Sequence, residues 1–319
     1  MPGFLLLTIT YGSVGVFILA VLWRAVRISR LPVHLRWELY PVAHEKGRAS
    51  YGGSYLEESD WWTKPRESSL AGELKVMIPE IVLLAGVWEH NRKHWLRTFP
   101  FHFGLYLLAG LLVLLLVGGI AMAAGATVSV EAVGIAALLY HATYIVGYAG
   151  MVLGLIGAAS LLGRRLFNPD YREYTKKADH FNLFFFILTF TVALLAHAAT
   201  DPYFTDLRTY FAELVTLGGF TETVEAPHAF GFLTAVEIVL VSLLLAYIPL
   251  THMSHFFTKW FMYHDIRWSD EPNLRGGKIE RQVNEMLHYP VSWAAPHIRG
   301  DGKKTWADVA TAGVEEKDE

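Results

Sequence analysis

The chain reads as an all-α integral membrane protein of five transmembrane helices, with its N-terminus outside and its C-terminus in the cytoplasm. Three observations predict this. Hydrophobic residues make up 53% of the 319 positions and charged residues only 18%, a balance typical of membrane proteins rather than soluble domains. Five apolar stretches, residues 4–23, 99–124, 133–162, 181–199 and 230–257, are long enough as helices to cross about 30 Å of hydrocarbon. The basic residues also alternate between the intervening segments: 12 of the 27 Lys and Arg fall in 24–97, five in 164–177 and nine in 258–319. Only Arg208 falls in 201–227, and none falls in 125–132. By the positive-inside rule the basic segments are cytoplasmic.

The first stretch lacks a basic n-region and a small-residue cleavage site, and Arg24, Arg27 and Arg30 follow it. It is expected to stay as a first span rather than leave as a signal peptide. The chain then divides into a first helix (1–30), a cytoplasmic loop with amphipathic helices (31–97), a four-helix, histidine-bearing membrane bundle made by helices two to five (98–258) and a cytoplasmic tail (259–319). The loop holds His34-Leu35-Arg36-Trp37-Glu38-Leu39-Tyr40-Pro41 and Tyr51-Gly52-Gly53-Ser54. Between residues 70 and 95 it carries spaced apolar residues with Trp88, Arg92, Lys93 and Trp95, the pattern of one or two interfacial helices. The tail carries Trp260, Trp268 and Trp293 among charges and ends in an acidic run expected to be mobile. Tryptophan at this density suits a docking surface for a cytoplasmic subunit. The absence of cysteine excludes disulfides, an iron–sulfur cluster of the chain's own and covalent haem attachment. Nothing in the sequence points to nucleic acid.

Histidine is costly in lipid, so its placement carries the functional signal. His102 follows Arg97 by five residues and His255 precedes Lys259 by four. Both therefore lie about a turn inside the cytoplasmic interface, the matched depth that two axial haem ligands need. His252, one turn before His255, is the alternative ligand there and could otherwise bond a haem propionate. Toward the outside, His141 lies 23 residues from Arg164 and His197 20 from Lys177, about 34 and 30 Å along straight helices. These depths suggest a second haem, with His228 as an alternative ligand. Glu237 is an acid within a spanning helix, which usually marks a proton or substrate path. It precedes His255 by 18 residues, which is five full turns and about 27 Å of unbroken helix. There it could accept a proton from quinol. His34, His44, His90, His94, His264, His288 and His297 fall in aqueous segments without metal-site spacing and are expected to be solvated or docking residues.

Phe101-His102-Phe103-Gly104, Arg164-Arg165-Leu166-Phe167 and Pro249 six residues before His255 resemble the respiratory nitrate reductase gamma subunit family, over roughly residues 98–260. The resemblance implies a five-helix cytochrome b that oxidises quinol, with His102 and His255 as ligands of the haem nearer the cytoplasm. It also shows a departure. The family's second ligand pair falls here on Leu112 and Glu237, so the outer haem is either absent or rearranged onto His141 with His197 or His228. The long cytoplasmic segment, including Asp60-Trp61-Trp62-Thr63-Lys64-Pro65, is similar to cytochrome b subunits of sulfate-reducer transmembrane redox complexes of the heterodisulfide-reductase type. That similarity implies one or two haem b, menaquinone, an anaerobic respiratory chain in a prokaryotic inner membrane and a cytoplasmic iron–sulfur partner. Further membrane and periplasmic cytochrome c subunits are compatible with it. A rival reading is a haem-free anchor or a proton-translocating transporter subunit. Against it, the sequence shows no repeat and no paired discontinuous helices.

Overall fold

The computed structural model describes residues 3–31, 42–48, 54–65, 67–220, 230–268, 273–293, 298 and 300–312. Residues 34–41 and 51–53, His228, His297 and the acidic residues 313–319 lie outside this set. In chain order the helices are α1 (Gly3–Ser29), α2 (Leu70–Val82), α3 (Ala85–His90), α4 (Arg92–Ala123), α5 (Ile135–Phe167), α6 (Pro169–Glu173), α7 (Lys177–Ala199), α8 (Thr205–Val215), α9 (Phe232–Tyr247), α10 (His255–Phe261), α11 (Lys278–Leu287) and α12 (Trp306–Thr311). Five segments, α1, α4, α5, α7 and Phe232–Leu250, are long and apolar enough to cross a membrane. Each presents large apolar side chains outward, among them Val113, Ile145, Ile156, Phe184 and Leu195, which suits contact with hydrocarbon rather than water.

Two of these helices differ from the pattern read in sequence. α4 begins at Arg92, seven residues before the apolar stretch, because the Asn91 side chain accepts the His94 N–H at 3.0 Å and caps the first turn. The fifth span does not run unbroken to residue 257. α9 ends at Tyr247, a 3₁₀ turn covers Ile248–Leu250, Thr251 is extended and a second 3₁₀ turn covers His252–Ser254. Pro249 is the cause, since it supplies no N–H and its ring crowds the preceding turn.

The chain forms two compact units, one of Met1–Ala20 with Met77–His252 and one of Val21–Val76 with Met253–Glu319. In the first, α4 packs on α5 and α8, α5 on α7, and α7 on α9. Small residues let the helices close up, as van der Waals contact in lipid requires. A Cβ on Gly104 would strike the backbone of Gly150 and Gly154, and one on Gly157 would strike the backbone of Phe101. In the second unit the aromatic residues pack on one another. Trp268 is buried against His44 and Tyr263, and His264 lies on Trp260 while its Nε2 faces Glu73 Oε1 at 3.2 Å. His44, His264 and Trp268 are therefore internal packing residues, not solvated or docking ones. Trp62, Trp260 and Trp293 stay exposed.

Candidate functional site

His102 lies on α4, half-buried, with its ring edge-on to Phe101. Its Nδ1 stands 2.8 Å from the Thr98 carbonyl one turn earlier. A carbonyl only accepts, so Nδ1 carries the hydrogen and the ring's lone pair is on Nε2. Metal-ligating histidines are commonly oriented in this way, the second ring nitrogen being anchored to a backbone carbonyl. His102 thus fits the chemistry of an axial haem ligand. His252 closes the first unit, largely exposed, with Nε2 3.5 Å from Asp179 Oδ1. His255 opens α10 in the second unit and is exposed.

At the opposite end of the same bundle the structure brings His197 and Glu237 together. His197, at the end of α7, is fully buried. Its Nδ1 is 2.8 Å from the Asp201 carbonyl and its Nε2 is 3.1 Å from Glu237 Oε1 on α9. Phe204 stacks on the imidazole with ring centroids 3.6 Å apart. It holds that position with φ of 60°, a left-handed conformation unusual for a bulky residue. Its ring fits because α5 has glycine at 147, where a Cβ would collide with it. Glu237 Oε2 and Thr234 Oγ1, one turn apart on α9, are both buried without a partner.

The segment 201–215, which reads in sequence as a polar connection, completes this end. The Asp201 carboxylate accepts the N–H groups of Thr205 and Asp206 at 2.6 and 3.1 Å, capping α8. Burial pushes the Asp201 carboxyl up, against the pull of the Thr205 and Leu207 N–H groups. Arg208, the lone basic residue of the connection, is buried under Gly118 with its guanidinium 5.0 Å from the Tyr140 ring. It donates Nη2 to the Tyr203 carbonyl at 2.8 Å, while its Nε and Nη1 have no partner. Burial lowers its basicity. Tyr210 of α8 bonds Thr10 of α1 at 2.6 Å, and burial raises its hydroxyl to about 12.

His141 is not brought to His197. It is exposed beside Tyr140 and Tyr144. The α5 residue level with His197 is Tyr148, at 6.3 Å between rings. His141 lies seven residues nearer the start of α5, about 10 Å along the axis. Depth counted from Arg164 and Lys177 misleads because basic side chains are poor rulers. Arg164 folds over Tyr171 of α6, its guanidinium 3.7 Å from the ring. Leu112, at the other position of the family's second ligand pair, is exposed. The turns counted from Glu237 to His255 also presume a continuous helix, which the break at 248–254 removes.

Five helices long and apolar enough to span, packed around a buried acid–imidazole pair, define a polytopic helical membrane protein. The nitrate reductase gamma subunit family matches residues 89–269, more than half of the chain, and the chain belongs to that family. It is accordingly a haem b membrane subunit of a respiratory oxidoreductase, an electron-transport component that works with catalytic and electron-transfer partners in a multi-subunit complex. No curated protein and no solved structure matches it.

Proposed function

We propose that this chain passes electrons between menaquinol and a cytoplasmic iron–sulfur subunit of heterodisulfide-reductase type. His102 and His255 would be the axial ligands of its haem b, and Glu237 would accept a quinol-derived proton. The N-terminus faces the outside of a prokaryotic cytoplasmic membrane, so electrons leave at the basic, tryptophan-bearing cytoplasmic face and protons leave at the other. When bound, haem supplies one-electron chemistry. The chain's part is to orient the ligand nitrogen, exclude water and hold a proton at a defined carboxylate.

The observation that carries this reading is the Nδ1 bond of His102 to the Thr98 carbonyl, which directs the lone pair onto Nε2 inside the family-matched region. The experiment is a reduced-minus-oxidised spectrum of the purified chain. The wild type is expected to show b-type bands and His102→Ala to lose them. A wild type without such bands, or a His102→Ala variant with an unchanged spectrum, overturns the assignment.

A further inference from the structure

His197 has no nitrogen to offer iron. Its Nδ1 faces a backbone carbonyl, which only accepts, so that nitrogen carries a proton in this arrangement. Its Nε2 faces Glu237 Oε1 at 3.1 Å. One proton lies between these two atoms, and the pair is either imidazolium with carboxylate or neutral imidazole with carboxylic acid. Phe204 covers the ring face, so the side chain cannot turn away without moving that ring. On the far side of the carboxyl group, Glu237 Oε2 and Thr234 Oγ1 are buried and unpartnered on one face of α9. Two orphan oxygens buried one turn apart call for a hydroxylic partner.

We propose that Glu237 and His197 form a buried proton-carrying dyad, loaded at Glu237 Oε2 by a hydroxyl group and discharged toward Asp201, in a chain that binds a single haem. The hydroxyl belongs either to the quinol or to a water between the quinol and Thr234. A proton arriving at Oε2 lets Oε1 release its proton to Nε2, which leaves a neutral acid beside an imidazolium. Asp201 Oδ2, 3.9 Å from Nδ1, is the next acceptor, and it takes the Nδ1 proton of the imidazolium. One proton enters and one leaves, and no electron moves. The titratable groups around the pair are Tyr148 from α5 and Asp201 after α7, with Arg208 of α8 acting on Asp201. The dyad lies at the opposite end of the bundle from His102. This inference rests on Glu237 as acceptor of quinol-derived protons.

The test uses the whole complex in its membrane. Infrared difference spectra between acid and neutral pH, in H2O and D2O, should contain a buried carboxylic C=O band that shifts on deuteration and is lost in Glu237→Gln. That variant should oxidise quinol roughly 100-fold more slowly, the low end of what a positioned base contributes. The haem-to-chain ratio should stay at one in the wild type, in Glu237→Gln and in His197→Gln. A second haem removed by His197→Gln overturns the proposal, as does a spectrum with no band assignable to Glu237. Binding of a fluorescent hydroxyquinoline N-oxide, a quinol analogue, identifies the hydroxyl. Affinity lowered by Thr234→Val assigns it to quinol, and unchanged affinity assigns it to water. Loss of b-type bands in the wild type with the Glu237 band intact would instead break the haem assignment alone.

Discussion

At the His102 end of the bundle α4 and α5 meet through glycine, Gly104 on Gly154 and Gly157 on Phe101. At the His197 end the helices are joined by buried polar groups: His197, Glu237, Asp201, Arg208 and the Thr10–Tyr210–Ser242 contacts. Each end holds one histidine turned toward a carbonyl four residues away, Thr98 before His102 and Asp201 after His197. The difference lies at the second nitrogen. A carboxyl oxygen takes Nε2 of His197, and that makes the residue a proton carrier. His102 lies at the glycine-packed end, and among the described residues no carboxylate is assigned to its Nε2. A histidine in a membrane helix is therefore read best from the partners of both its nitrogens, not from depth.

The largest effect that tests this contrast is all-or-none: His102→Ala removes the haem bands and His197→Gln leaves them whole. Next comes the packing. Gly157→Ala sets a methyl group against the Phe101 backbone, where neither side can give. Overpacking of this kind typically costs about 1–3 kcal/mol, and unfolding in detergent should show it. Gly110, on the same helix as Phe101, meets nothing nearer than Val146 at 4.0 Å. Gly110→Ala should leave stability equal or raise it by up to about 1 kcal/mol, from helix propensity alone. Equal losses in the two variants would show that glycine contact is not what closes the His102 end.

Much of the layout of the spans is legible in sequence. Apolar length located the spans, and the end of α7 at Ala199 coincides with the end of its apolar stretch. Glu237 stood out because an acid in a spanning helix needs a partner. Depth alone sets Glu237 beside His141 and His197 alike, and the direct partner is not legible because His197 is 40 residues away in sequence. Asp201, Phe204 and Arg208 were hidden for another reason. They fall in a polar stretch that reads as a solvated connection, yet α8 folds back onto α4 over Gly118 and Gly119. The faint signals were the adjacent glycines and the single cation of that connection. Pro249 announced a break, and the straight-helix count to His255 overran it.

A smaller effect sharpens the polar end. Thr10 of α1 bonds both Tyr210 of α8 and Ser242 of α9, at 2.6 and 2.9 Å. Thr10→Val keeps the shape and removes both bonds. Interhelical bonds between such side chains in lipid average about 0.6 kcal/mol and reach about 2. The expected loss in unfolding free energy is about 1 kcal/mol, with haem bands unchanged. A change in the bands would mean that α1 supports the His102 end as well.

The smallest effect separates buried acids from exposed ones. In the second unit Asp301 accepts the N–H groups of Lys303 and Lys304, and Asp308 closes a capping box with Thr305 at the start of α12. These bonds, made to the ionised form, hold both carboxyls below their ordinary value of 3.8. An acid lowered by folding stabilises the folded form fully above its unfolded value. That contribution fades as pH falls through the lower, folded one. Below about pH 4, residues 301–311 should therefore fray, with amide exchange rising there and not in α5 or α7. Thr305→Ala should produce part of the same fraying at neutral pH, since the cap is lost without any change of charge. Glu237 has no such amide partners: its Oε1 meets His197 and its Oε2 is unpartnered. Acid that opens α12 should leave the bundle folded.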